Sequence, residues 1–244
     1  MCTTCCLLLV GLLAMALPGS AYRLGAARSS TLPRALASRS APLLAAVSSS
    51  SAAAELAAEL LATLHTAPRV EAPADVAADA LEIVDELDSL DAAAGWATRL
   101  SGRWRLMYTS SRTFAQNRGL CGYAREVAGV ETPELYMAVT AKSAGRLVTY
   151  DEPLSFEEGS LAALVGGFAS ADSVRVEAAY TEGRSDTMLI EANRIVVGER
   201  TWVPADRQAK AIRALAAARP VYLDERLFVL RAEPDYILHI FERA

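Results

Sequence analysis

From Gly95 onward, apolar residues recur at every second position, the period of a β-strand with one buried face. In Arg103–Ser110 (RWRLMYTS), Trp104, Leu106 and Tyr108 fall on one face and Arg105, Met107 and Thr109 on the other. Similar strands are predicted at Leu135–Ala141, Arg146–Tyr150, Ser173–Tyr180, Thr187–Val197, Leu227–Arg231 and Tyr236–Glu242, with Leu120–Val127 as a further one. Glu182-Gly183-Arg184-Ser185 and Glu233-Pro234-Asp235 read as turns between them. Seven to nine antiparallel strands along about 140 residues predict a sandwich or a closed barrel. Closure is favoured by strands such as Val174/Val176 against Arg175/Glu177, with one apolar and one solvated face. A barrel of about eight strands can hold one small apolar ligand, or be filled by its own side chains. A late helix is expected at Asp206–Ala218 (DRQAKAIRALAAA).

Ahead of the strands the period is 3.6. Leu56, Leu60 and Leu64 lie on one helical face of AAAELAAELLATL. A second helix is expected from about Pro73 to Leu90. Val76, Ala80, Ile83, Val84 and Leu87 form its apolar stripe, and Glu82, Asp85, Glu86 and Asp88 face water. Both stripes are wide enough to pack on the strands, and the acidic faces argue against a seat on anionic lipid.

The first fifty residues follow another rule. They hold four arginines (Arg23, Arg28, Arg34, Arg39) and no acidic residue, in a chain of 24 basic and 29 acidic residues. Leu7–Leu17 is an apolar run too short for a bilayer span and suited to a signal-peptide core, with small residues after it at Pro18–Ala21. Tyr22–Ser51 is rich in Ser, Ala and Arg, the composition of a transit peptide. Together they resemble the bipartite address of algae with complex plastids. The expected organisation is a signal peptide at 1–21, a plastid transit peptide at 22–51, a helical lead at 52–94 and a β domain at 95–244. The mature chain then has no transmembrane segment, and its acidic balance excludes general nucleic-acid binding.

Groups suited to catalysis are scarce. His65 and His239 are the only histidines, and Cys121 is the only cysteine beyond residue 6, so neither a zinc site nor a disulfide framework is expected. His239 alternates with Ile237 and Phe241 and reads as a hydrogen-bonded core residue. The chain has no nucleophile elbow, phosphate loop or dinucleotide fingerprint. The adjacent carboxylates Asp224-Glu225 point to opposite faces if they lie on a strand, so they cannot share a site. No enzyme activity, metal or cofactor is expected.

Two stretches resemble a known family. Ser101–Ser110 is similar to the "L-x-G-x-W-x-L-x-Y-T-S/T" opening strand of the plastid lipid-associated proteins, or fibrillins. Tyr222-Leu223-Asp224-Glu225-Arg226-Leu227, with Arg231 and Ile237-Leu238, resembles their closing "Y-L-D-E-x-L-R-I-x-R-G" motif. The likeness covers about residues 60–244, loosely over 111–170. Phe228 stands where the family often has Arg, and Ala232 replaces the Gly of the closing turn. The resemblance implies a lipocalin-like antiparallel β-barrel in the plastid. It also implies a non-enzymatic role with apolar lipids, isoprenoids or pigments. Gly102-x-Trp104 looks like the lipocalin opening signature, in which a long cation covers the Trp at one barrel end. Arg231 sits at the matching place for that cation.

Two functions follow. In the first, the barrel stores or carries an apolar molecule against strand faces containing Leu106, Tyr108, Met137 and Val176. In the second, the outer surface docks to plastid lipid bodies, to the thylakoid surface, or to an enzyme of quinone or pigment synthesis. A hollow interior favours the first, and a filled one with an exposed apolar patch favours the second.

Overall fold

The alternation after Gly95 folds as strands β1 (Gly102–Thr109), β2 (Val130–Glu131), β3 (Tyr136–Lys142), β4 (Gly145–Pro153), β5 (Ser155–Phe156) and β6 (Ser173–Glu182). They are followed by β7 (Met188–Val197), β8 (Arg200–Trp202), β9 (Ala217–Leu223), β10 (Leu227–Ala232) and β11 (Ile237–Arg243). The structure is a computed structural model, which describes residues 41–66, 72–142, 145–157, 172–183, 186–204, 212, 217–232 and 236–244. The signal-peptide stretch and most of the transit stretch lie outside the described residues.

The main sheet is antiparallel and runs β6-β4-β3-β1-β11-β10-β9-β7-β8, and a further pairing of β6 with β7 joins eight of these strands into a ring. The seams differ in strength. Strands β6 and β7 pair over most of their length, whereas β7 meets β9 only at Met188↔Ala218 and Leu189↔Ala217.

The helical lead is α1 (Ala41–His65) and α2 (Ala74–Ser89), so α1 begins inside the stretch read as transit peptide. Ala53, Ala57, Leu60, Leu61 and Leu64 of α1 and Ala80, Ile83, Val84 and Leu87 of α2 are buried. They cluster with Tyr108, Val221, Tyr222, Leu227, Val229, Leu238 and Ile240 on the outside of β1 and β9–β11. The protein therefore has two apolar layers, one inside the ring and one between its wall and the helices. On α2 the water-facing reading fails for Asp88. It accepts a two-pronged hydrogen bond from Arg219 at 2.7 and 2.6 Å and lies 3.6 Å from Arg231. Asp85 also pairs with Arg231.

Three short helices close the ends of the ring: α3 (Trp96–Arg99), α4 (Arg112–Asn117) and α5 (Tyr123–Glu126). The strand expected at Leu120–Val127 is not formed. Gly119 and Gly122 take φ of +142° and +74°, and Tyr123–Glu126 is a helical turn. The Leu120 and Cys121 N–H groups bond to a side chain and not to a neighbouring strand. Most of the helix expected at 206–218 lies outside the described residues, and Ala217 and Ala218 belong to β9.

Candidate functional site: the interior of the ring

Register across the sheet places one row of side chains around the interior. Trp104 pairs with Met137, Met137 with Tyr150, Tyr150 with Val176 and Val176 with Ile195. All five are 0% exposed, so no water-sized space lies against their surfaces. Leu106, Phe228 and Phe241 pack into the same cluster. Of the residues predicted to line a ligand site, Leu106, Met137 and Val176 are thus inside together.

Tyr108 is not with them. Strand β1 slips against β11 between Leu106↔Phe241 and Tyr108↔Ile240. Two residues there oppose one, and this β-bulge turns Met107 and Tyr108 together toward the helices. Beyond it Thr109 returns inward, and its Oγ1 lies 2.9 Å from Nδ1 of the buried His239.

At one end of the ring, the Trp104 Nε1–H donates to the Leu100 carbonyl (3.0 Å), its ring packs 5.7 Å from Phe228, and Trp96 stands 6.2 Å from Tyr180. A cation does cover Trp104, but it is Arg243, with its guanidinium carbon 4.7 Å from the ring centroid. Arg231 points outward to α2, because residues 228 and 230 face inward and 231 must alternate with them. Gly102 has φ +137°, and a Cβ there would stand 2.6 Å from the Arg243 guanidinium. The arginine tip could shift from such a Cβ, but the positive φ itself favours glycine.

The other end is closed by the segment carrying α4 and α5. Glu152, 1% exposed, accepts hydrogen bonds from the Leu120 N–H and, at Oε2, from the Cys121 N–H (3.3 Å) and thiol (3.0 Å). A Cβ on Gly119 would lie 2.6 Å from Glu152 Oε1, so this grip also needs glycine. Burial raises the Glu152 carboxyl pKa, against the pull of the three donors. Burial and the neighbouring carboxylate push the Cys121 thiol pKa well up, which suits an inert thiol and not a nucleophile.

The polar group that sequence reasoning missed is the Tyr150 hydroxyl. It is buried with no hydrogen-bond partner among the described residues, and burial raises its pKa. A hydroxyl left so costs about 1–3 kcal/mol. Its signal was a tyrosine in the inward register of an alternating strand, two positions after Val148.

The Tyr222-Leu223-Asp224-Glu225 motif has a structural task. Asp224 Oδ1 accepts from the Arg226 and Leu227 N–H groups (2.7 and 2.6 Å), and its Oδ2 accepts from the Tyr222 hydroxyl (2.9 Å). This fixes the β9–β10 turn, with Glu225 exposed, Leu223 inside the ring, and Tyr222 and Leu227 under the helices. A cleft of about 250 Å³ beside it, between α1, α3 and the turn, includes Arg99, Tyr222 and Asp224. Arg99, Tyr222 and Asp224 are already engaged there: Arg99 donates to the carbonyls of Leu223 and Ala94, and Tyr222 to Asp224. His65 lies outside the ring, 3.4 Å from Glu242, so the two histidines cannot share a site.

Among the described residues, no group of three or more His, Cys, Asp or Glu side chains is placed to hold a metal ion. None of the described helices is long and apolar enough to cross a membrane. No family model matches the chain, and the comparison with curated proteins finds no match.

Proposed function

We propose that the chain is a fibrillin-like, plastid lipid-associated protein, a non-enzymatic lipocalin-like barrel that binds an apolar lipid, isoprenoid or pigment. One observation carries this reading: a closed ring of eight antiparallel strands encloses an almost wholly apolar interior, plugged at one end by Gly102, Trp104 and Arg243. The acid-free leader supports a plastid address. The interior side chains are in mutual contact, so a ligand enters by displacing them. The segment hung on Glu152 is the displaceable end, because short helices and a few hydrogen bonds hold it.

The complete burial of the inner row also favours a second reading, in which the protein docks by its outer surface to lipid bodies, thylakoids or an enzyme of quinone or pigment synthesis. Native protein extracted from its plastid, N-terminally sequenced and analysed by mass spectrometry separates the two. The first predicts a start after about residue 45 and one apolar molecule per chain. Native protein free of apolar ligand that sediments with lipid bodies would favour docking. An intact Tyr22 would refute the plastid address.

A further inference from the structure

Resting on the binding reading above, we infer that the Tyr150 hydroxyl selects the ligand by donating a hydrogen bond to an acceptor at its polar tip. The chemical class is an apolar molecule carrying a quinone, ketone or ester carbonyl, not a pure hydrocarbon.

Three observations converge on this atom. Tyr150 belongs to the inner row with Trp104, Met137, Val176 and Ile195, and its whole side chain, hydroxyl included, is buried in the apolar cluster. It has no partner among the described residues, although buried polar groups in folded proteins nearly always find one. Two other polar groups buried toward that end are engaged: Glu152 by Leu120 and Cys121, and Thr109 by His239 and the Ser111 N–H. Phenylalanine would fill the same volume without the burden of a desolvated hydroxyl. A hydroxyl that only weakens the closed protein is accounted for by a state in which it is paired.

Its position supports the same role. Tyr150 lies two residues from Glu152 on the same face of β4, immediately below the segment that Glu152 holds over the end of the ring. A molecule displacing that segment reaches the inner row that holds both Tyr150 and Trp104. A tyrosine hydroxyl both donates and accepts. Facing an apolar molecule that bears only carbonyl oxygens, it acts as the donor. Selectivity follows from the rule that a site built to satisfy one buried polar group discriminates against ligands that leave it unpaired.

The test compares the mature wild-type chain with Tyr150→Phe, using decyl-1,4-benzoquinone and decylbenzene as probes of matched tail. Titration calorimetry gives the affinities, and thermal melting of the ligand-free proteins gives stability. The wild type is expected to bind the quinone about tenfold more tightly, equivalent to about 1.4 kcal/mol. Tyr150→Phe should abolish that preference, keep the affinity for decylbenzene, and melt at a higher temperature than the parent. A variant that keeps the quinone preference would overturn the inference, as would one that melts lower. Equal wild-type affinity for both probes would overturn it too, while leaving apolar binding intact. Failure of the wild type to bind either probe would remove the binding reading and this inference together.

Discussion

Replacing Glu152 tests how the end of the ring is closed. Glu152→Ala removes the acceptor for two backbone N–H groups, those of Leu120 and Cys121, and for the Cys121 thiol. Each orphaned, buried N–H costs about 1–3 kcal/mol. Relief of the carboxylate's own desolvation offsets part of this, so the net loss should be about 3 kcal/mol. For a domain of this size that lowers the melting temperature by about 6–12 °C. Glu152→Gln keeps one carbonyl oxygen and turns an NH₂ toward the remaining donors, so about half the loss is expected.

The same residue sets a pH dependence whose sign follows from its environment. Burial raises the folded-state carboxyl pKa above the ordinary value, so the folded protein holds that proton more tightly than the unfolded chain. Its contribution to stability therefore falls as pH rises from the ordinary carboxyl range through the raised value, and is flat above it. Glu152→Gln should remove that slope. The assays are urea unfolding across pH and hydrogen exchange at the Leu120 and Cys121 amides, which should speed up in both variants. Melting within a degree of the parent, with unchanged exchange at those amides, would show that Glu152 does not hold this segment.

Trp104→Ala should cost about 3–5 kcal/mol in a denaturant melt, as for other large aromatics truncated in a core. Arg243→Met should shift Trp104 fluorescence in a Trp96→Phe, Trp202→Phe background, whereas Arg231→Met should leave it unchanged, since Arg243 lies over that ring and Arg231 pairs with Asp85 on α2. The Arg219 hydrogen bonds hold the Asp88 carboxyl below its ordinary value, so its contribution to stability is present above the unfolded carboxyl value and lost as pH falls through the folded one. Asp88→Asn should therefore cost about 1 kcal/mol at pH 7, and that cost should shrink as pH falls below the ordinary carboxyl value, read from urea midpoints. A chain starting near Gly95 should be less stable and prone to aggregate, because it uncovers Tyr108, Val229, Leu238 and Ile240. It should nevertheless retain apolar-probe affinity at low temperature. A 52–94 fragment that bound those probes as well as the mature chain would move the function to the helices.

Much of the fold was legible because each face of a strand carries its burial in its sequence. The alternation of Val174, Val176, Ala178 and Tyr180 survives unchanged in β6, where one face is solvated. What escaped were departures from strict period 2. The bulge at Met107 has no local signature, since either register of RWRLMYTS offers an apolar face, and only the pairing with β11 decides where the slip falls. The long cation over Trp104 was placed on Arg231 by analogy of position. Alternation alone opposed that choice, because Phe228 and Leu230 claim the inner face of β10. Leu120–Val127 reads as a further strand, but Gly119 and Gly122 with positive φ and a buried acceptor distant in sequence override it.

The two-layered wall explains a contrast between the halves of the β region. Strands β4 and β6 alternate cleanly, whereas β10 is buried at Leu227, Phe228, Val229 and Leu230 in succession. A strand buried on both faces needs apolar residues at consecutive positions, and here α1 and α2 supply the second cover. The run in β10 and the leucine stripe of α1 are thus two sides of one contact. The cover is fixed by charge as well as by apolar area. Arg219 on β9 and Arg231 on β10 reach out through the wall to Asp88 and Asp85, so the register of α2 on the ring is set by ion pairs that the inner layer does not feel. The helices and the two ion pairs thus secure the wall from outside without using the inner row around Tyr150, a separation that the proposed entry of a ligand at one end would exploit.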